Sequence, residues 1–217
     1  MEDKVKKKCK QLTLMKETKL LTKGQQFILA SESETRKKKA NETFQNLKIV
    51  KHKINEQKEK SENKKKPVEK LVEILARKKA ESLKDEYPDQ IIIGSDQILE
   101  CNGKIINKPK NLIEAKKNIQ YLSGKKHRLF SSISVIKNSQ LYFEETKKAE
   151  LLFKQISSYE IDRYIKHNKD AALNSVGSYR IEDNDNYKFL YIINGDIETI
   201  IGFPMENFLK KLKEEYL

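Results

Sequence analysis

The stretch Ile91–Pro109, IIIGSDQILECNGKIINKP, constrains the fold more than any other part of the chain. Three consecutive isoleucines with no polar alternation specify a strand buried on both faces, and such a strand needs cover on both sides. The run ends in Gly94-Ser95-Asp96-Gln97, which puts a carboxylate at the end of a buried strand. An ionised Asp is costly to bury alone, so Asp96 is exposed in a cleft, paired, or on a metal. Asn102-Gly103 between two apolar runs signals a hairpin, which would carry Lys108 back toward Asp96. A carboxylate and an ammonium converging there suit either a site that handles phosphate with a metal or a structural ion pair at a sheet edge.

The flanking segments add charged groups in places that need explaining. The first firm strand, Gln26–Ala30, runs into Ser31-Glu32-Ser33-Glu34-Thr35-Arg36. Small hydroxyl residues between a strand and a helical stretch are capping material, and a helix start offers free N–H groups to an anion. Arg36 could add a planar fork to a phosphate. On this motif alone, an ordinary capped helix with a surface Arg is the simpler reading. Residues 45–54 hold a second short apolar run in which His52 and Ile54 alternate with lysines before Glu56, and the charge run 57–66 reads as a loop. Pro67 opens the best helix, PVEKLVEILARKKAESLKDEYP, limited by Pro88. Val68, Leu71, Val72, Leu75, Ala76 and Leu83 form one stripe on it. Lys79 falls in the middle of that stripe, so it either snorkels outward or is held toward a buried anion.

Downstream, a short helix over Asn111–Tyr121 closes at Ser123-Gly124, and His127, read as a loop or edge residue, leads into a strand over Leu129–Ile136. Residues 140–153 read as a strand pair around a polar turn. Ser157 and Glu160 fit a capping box before a helix over 158–166. A strand over Tyr187–Ile193 and an amphipathic C-terminal helix carrying Met205, Phe208, Leu209 and Leu212 complete the pattern. Strands and helices interleave with hairpins among them. The fold class is therefore α/β, a mixed sheet with helices packed on it. Residues 1–24 are Lys-rich with few apolar positions and read as a flexible or partly helical basic extension, leaving 25–217 as the folded domain.

Among 217 residues, 45 Lys and Arg against 32 Asp and Glu give a net charge of +13. The lysines alternate with Glu and have no aromatics interleaved, which argues for solvated faces and against nucleic acid as the main partner. Cys9 and Cys101 lack zinc-ligand spacing and suit a reducing compartment, and no apolar run has the length of a membrane span. A cytoplasmic protein is the expectation.

In this order the pieces resemble the Maf family of nucleoside triphosphate pyrophosphatases, also described as septum-formation inhibitors. The family opening LASxSPRR corresponds to Leu29-Ala30-Ser31-Glu32-Ser33-Glu34-Thr35-Arg36-Lys37, and its helix motif LAxxKA to Leu75-Ala76-Arg77-Lys78-Lys79-Ala80. Glu56, Gly94-Ser95-Asp96-Gln97, Lys108-Pro109, Leu122-Ser123-Gly124 with His127, Gly177-Ser178-Tyr179, Gly195-Asp196 and Gly202-Phe203-Pro204 follow. The resemblance implies an elongated α/β fold of two lobes with a substrate cleft between them. It also implies hydrolysis of a nucleoside triphosphate to the monophosphate and pyrophosphate with Mg2+ or Mn2+. It casts Asp96 as proton acceptor, with Lys79, Lys108 and Glu56 beside it, Ser31, Ser33 and Arg36 on phosphate, and Asp96 and Glu56 as metal ligands. Homodimers are common in the family. Gln97 and Glu182 resemble the branch that acts on 7-methyl-GTP, and a carboxylate at 182 can accept from both the N1–H and the amino group of guanine. Thr35 stands where that branch often has Trp, which removes an aromatic face for a cationic methylated base. Other departures are Glu34 for the family Pro, Lys37 for its second Arg, Lys39 and Ala40 for two Leu, and Val176 for Ala. They leave a second reading open, a non-catalytic nucleotide-binding regulator of cell division.

Overall fold

The isoleucine run lies at the centre of the molecule. The computed structural model describes residues 13–217 apart from 20 and 23, and in it the run opens strand β3 (Ile91–Cys101). On one side β3 pairs in parallel with β1 (Phe27–Ala30), which pairs in parallel with β2 (Leu47–Val50). Farther along, the same side of β3 pairs antiparallel with β4 (Lys104–Ile106). On the other side lie β5 (Lys126–Lys137), β6 (Gln140–Phe153) and β7 (Leu190–Asn194), all antiparallel. The seven-stranded mixed sheet has the order β2-β1-β3-β5-β6-β7, with β4 on β3. This is the α/β class expected, and the hairpin between β3 and β4 turns at Asn102 (φ 52°) and Gly103 (φ 75°), the positive-φ pair that a two-residue turn requires.

Both faces of the isoleucine run are buried, as its composition demands. Ile92 packs with Ile28, Ala80 and Leu83 under helix α4 (Val68–Glu81). Ile91 and Ile93 face the opposite way, against Ala40 and Phe44 from α2 (Glu34–Thr43) and its end and Phe208, Leu209 and Leu212 from α10 (Glu206–Tyr216). The far half of β3 belongs to a separate core. There Leu99 and Cys101 pack with α5 (Leu112–Leu122), α6 (Ser158–His167) and the inner residues of β6 and β7. Two lobes thus share one long strand.

Several local expectations are corrected. β3 does not stop at Asp96 but runs to Cys101, so Asp96 sits inside the strand. The charge run after Glu56 is not a loop but α3 (Glu56–Glu62), capped by the Asn55 side chain on Lys58 N and lined by i,i+4 Lys–Glu pairs. Residues 140–153 are one strand without a central turn. Glu144 to Thr146 stay in register with β5, and the turn lies at Asn138-Ser139, both with positive φ. His127 is 2 % exposed, on β5 and in contact with Tyr179. The capping box of Ser157 and Glu160 forms as read. Residues 1–12, with Cys9, lie outside the described residues. Residues 13–19 are helical (α1), and Leu14 and Met15 pack on the core that holds Ile91 and Ile93.

Candidate active site

Pairing along β3 changes hands at Asp96. The parallel partner β1 ends opposite Gly94, and the antiparallel partner β4 begins opposite Leu99. Between them one edge of β3 is left without a strand, and a cleft of about 610 Å³ opens there, between the two lobes. A change of strand order at a sheet is a common place for ligands.

The lining comes from six elements or their connections. Ser31, Ser33, Thr35 and Arg36 come from the β1–α2 turn, Glu56 from α3, Lys79 from α4, Asp96 and Gln97 from β3, Lys108 from beyond β4, and Glu182 from the segment after Gly177. Every residue singled out from the sequence therefore lines one cavity.

Lys79 is held toward anions and does not snorkel. Its Nζ lies 2.6 Å from Asp96 Oδ1 and 2.8 Å from Glu56 Oε1, and its side chain is 6 % exposed. Gly94 permits this approach, because a Cβ there would meet the Ala76 carbonyl oxygen and Ala80 N (2.7 Å) of α4. His52 Nε2 is 3.2 Å from Glu56 Oε1. That hydrogen bond, followed by the charge of Lys79, holds the Glu56 carboxyl well below the ordinary carboxylate range against the opposing effect of burial. Asp96 Oδ2 is buried and accepts no hydrogen bond among the described residues.

Arg36 is fixed by the protein itself. Its Nε donates to the Gly202 carbonyl and its Nη1 to the Ser95 carbonyl, both at 2.8 Å, so only the remaining N–H groups of its fork are left for a ligand. Burial lowers its pKa, and the charges of Asp96 and Glu56 oppose that shift; a guanidinium remains a cation regardless. Lys108 is depressed by desolvation in the cleft and then by the like charges of Arg36 and Lys79. Ser31 Oγ accepts from Ser33 N at 3.2 Å, and among the described residues no side chain caps the start of α2, where Ser33, Thr35 and Arg36 line the cleft. Gln97 Nε2 is spent on the Thr199 and Ile200 carbonyls (3.0 and 2.9 Å) of the short helix Ile197–Ile201 and lies 3.0 Å from Ser131 Oγ.

Sequence reasoning missed His52 as a neighbour of the site, and with it Lys60, Lys110 and Arg180 on the wall. His52 had a signal, its i,i+4 spacing to Glu56. The others are lysines and an arginine in a chain full of them.

Among the described residues, no group of three or more His, Cys, Asp or Glu side chains forms a metal cage. Mg2+ does not require one, since it is commonly held by one or two carboxylates together with substrate phosphates. The unpartnered Oδ2 of Asp96 beside Glu56 fits that mode of binding.

A strand-switch cleft lined by cations, with two carboxylates on one lysine and an uncapped helix start, defines an α/β protein built to hold a polyanion. The chain belongs to the Maf-like protein family, whose profile matches residues 26–215. Among curated relatives, a 7-methyl-GTP pyrophosphatase of Rhizobium johnstonii is 36% identical over 141 residues, 65% of this chain and 70% of that protein. A nucleoside triphosphate pyrophosphatase of Nitrobacter winogradskyi is 34% identical over 143 residues, 66% of this chain and 70% of that protein. One of the same name from Pelagibacter ubique is 31% identical over 191 residues, 87% and 95% of the two chains.

Proposed function

We propose that the protein is a hydrolase of phosphoanhydride bonds that converts a nucleoside triphosphate to the monophosphate and pyrophosphate. The observation that carries this reading is the buried Asp96 carboxylate, tied through Oδ1 to Lys79 and without a hydrogen-bond partner at Oδ2 among the described residues, in a cleft lined by Arg36, Lys79 and Lys108. Asp96 Oδ2 accepts the proton of the attacking water. A new P–O bond forms to that water, the bridge between the α and β phosphates breaks, and pyrophosphate leaves. Lys79, Lys108 and the free N–H groups of Arg36 offset the charge that develops, and the start of α2 with Ser31 and Ser33 positions the phosphates. Asp96 and Glu56 would hold Mg2+ or Mn2+, which when bound neutralises phosphate charge.

The finer reading is a guanine nucleotide. Glu182 lines the cleft and can accept from the N1–H and the amino group of that base. The names of the Rhizobium johnstonii relative and the kinship of Gln97 and Glu182 add the 7-methylated form as a candidate. Four residues in and beside the opening motif lie away from the cleft and so lend no support to a purely regulatory protein. Glu34 pairs with Lys37 and Lys39 with Glu42, and none of these lines the cleft. Two cysteines without zinc-ligand spacing suit a reducing compartment, and on that ground we propose a cytoplasmic location; among the described residues, no helix is long and apolar enough to cross a membrane.

A panel of nucleoside triphosphates with Mg2+ or Mn2+ tests the reading through pyrophosphate release. At least one should be hydrolysed, and Asp96→Asn should remove that activity while the protein stays folded. A well-folded protein that releases pyrophosphate from none of them would overturn it.

A further inference from the structure

The wall after Gly177 holds an arginine that the proposed chemistry does not use. Arg180 lines the cleft. Its backbone is fixed, since its N donates to Tyr164 Oη (3.3 Å), which itself donates to Asp183 Oδ2 (2.8 Å). Its guanidinium is different. Nε is buried and has no hydrogen-bond partner among the described residues. The nearest carboxylates, Asp183 at 3.7 Å from Nε and Asp170 at 3.8 Å from Nη1, balance the charge from beyond hydrogen-bond distance. Arg36 is the contrast, with two donors already on backbone carbonyls. Arg180 is thus a charged fork with unspent donors, and a buried donor left unpaired favours a ligand that supplies an acceptor.

Glu182, the acceptor on the same wall, follows two residues later. A donor fork and an acceptor that line the same cleft two residues apart can complement the two halves of a guanine edge. The carboxylate takes the N1–H and the amino group, and the guanidinium gives to O6 and N7, the geometry in which Arg reads guanine. Methylation at N7 removes that acceptor and places positive charge on the ring, facing a guanidinium.

We propose that Arg180 is a specificity residue that reads O6 and N7 of an unmethylated guanine, so that this chain prefers GTP-type nucleotides to their 7-methylated forms. The inference rests on the nucleotide-hydrolysis reading and goes beyond the names its relatives carry. Thr35 on the opposite wall, at the start of α2, provides no aromatic face that would favour a cationic base instead.

The test compares kcat/KM of the wild-type protein for GTP, ITP, 7-methyl-GTP and UTP with Mg2+. GTP should exceed 7-methyl-GTP about tenfold or more. Arg180→Gln should lower kcat/KM for GTP about tenfold, mainly through KM, and leave 7-methyl-GTP within about twofold. Arg180→Lys, which keeps one donor for O6, should recover part of the loss. Because the readout is a ratio between two substrates, a general loss of folded enzyme does not move it. A wild-type preference for 7-methyl-GTP, or a ratio that Arg180→Gln leaves unchanged, overturns the proposal. If no triphosphate is hydrolysed, the function reading fails, and binding of GMP against 7-methyl-GMP decides the point about Arg180 separately. Tighter GMP binding that Arg180→Gln abolishes supports the proposal, and equal binding of the two overturns it.

Discussion

Lys79 is a cation on the apolar face of a helix, and its energetics are those of a buried pair. Removing one partner of such a pair strands the other charge without water. Lys79→Met should therefore destabilise the protein by about 3 kcal/mol in urea unfolding, because the carboxylate of Asp96, 5 % exposed, would lose the ammonium beside it. Lys79→Met combined with Asp96→Asn should recover a large part of that loss. Additive losses in this double-mutant cycle would mean that the two side chains do not act as a pair. His127 offers a second test at this scale. Burial lowers its pKa from 6.5 to about 4. The unfolded chain then binds a proton between those values that the folded chain refuses, so stability is intact above about pH 6.5 and falls toward pH 4, by about 3 kcal/mol in all. Glu56, depressed from 4.5, adds its own loss as the pH falls through about 4.5 and below, at the acid end of the same window. Unfolding midpoints from pH 8 to 4 should show the slope, and His127→Phe should flatten it; an equal slope in both proteins would assign the loss to other groups. Asp96 and Lys79 were legible in the sequence because each is a charge where the local pattern demands an apolar residue. Arg180 was not, because nothing near it in sequence shows that the acids around it stand too far off to satisfy its donors.

At the scale of elements, the site depends on α4 lying close against β3, and Gly94 sets that distance. Its backbone is ordinary strand, so the requirement is space and not positive φ. Gly94→Ala must push helix from strand, which should cost about 2 kcal/mol or more of stability and pull Lys79 off Asp96. Reduced pyrophosphate release at temperatures where the variant is fully folded would show the second effect. Unchanged stability would mean that α4 yields without cost. The two misread elements share a cause. α3 has almost no apolar face and is held by its Asn55 cap and Lys–Glu pairs, so hydrophobic periodicity had nothing to report. The polar centre of β6 looked like a turn because its acids serve the neighbouring layers, Glu144 accepting from Ser134 Oγ and pairing with Arg77 of α4. By contrast β3, α4 and the capping box announced themselves through patterns contained within a few turns of chain.

Across the whole molecule, segments far apart in sequence meet at Arg36, and this closure defined the site beyond the reach of local patterns. The residue sits on α2, yet its Nε reaches the carbonyl of Gly202, 166 positions away, and its Nη1 reaches Ser95 in the central strand. Ser95 Oγ lies within hydrogen-bond distance of both the Gly202 and Ser132 carbonyls, which brings β5 into the same node. Gly202 needs both its positive φ (86°) and its missing Cβ, which would otherwise lie 3.0 Å from Arg36 Nη2 and 3.1 Å from Gln97 Cδ. The sequence marked Arg36 as a phosphate fork. Its structural duty was invisible there because it depends on a carbonyl brought close only when the C-terminal segment docks. Arg36→Lys keeps the charge but cannot span both carbonyls, so one buried acceptor loses its partner. The expected cost is about 2 kcal/mol in chemical denaturation, with faster amide exchange over residues 199–203 and a higher KM for the triphosphate that the panel identifies. The exchange pattern is the deciding measurement. An effect confined to KM, with residues 199–203 protected as before, would show that Arg36 serves only the ligand and that the closure of the cleft is held elsewhere.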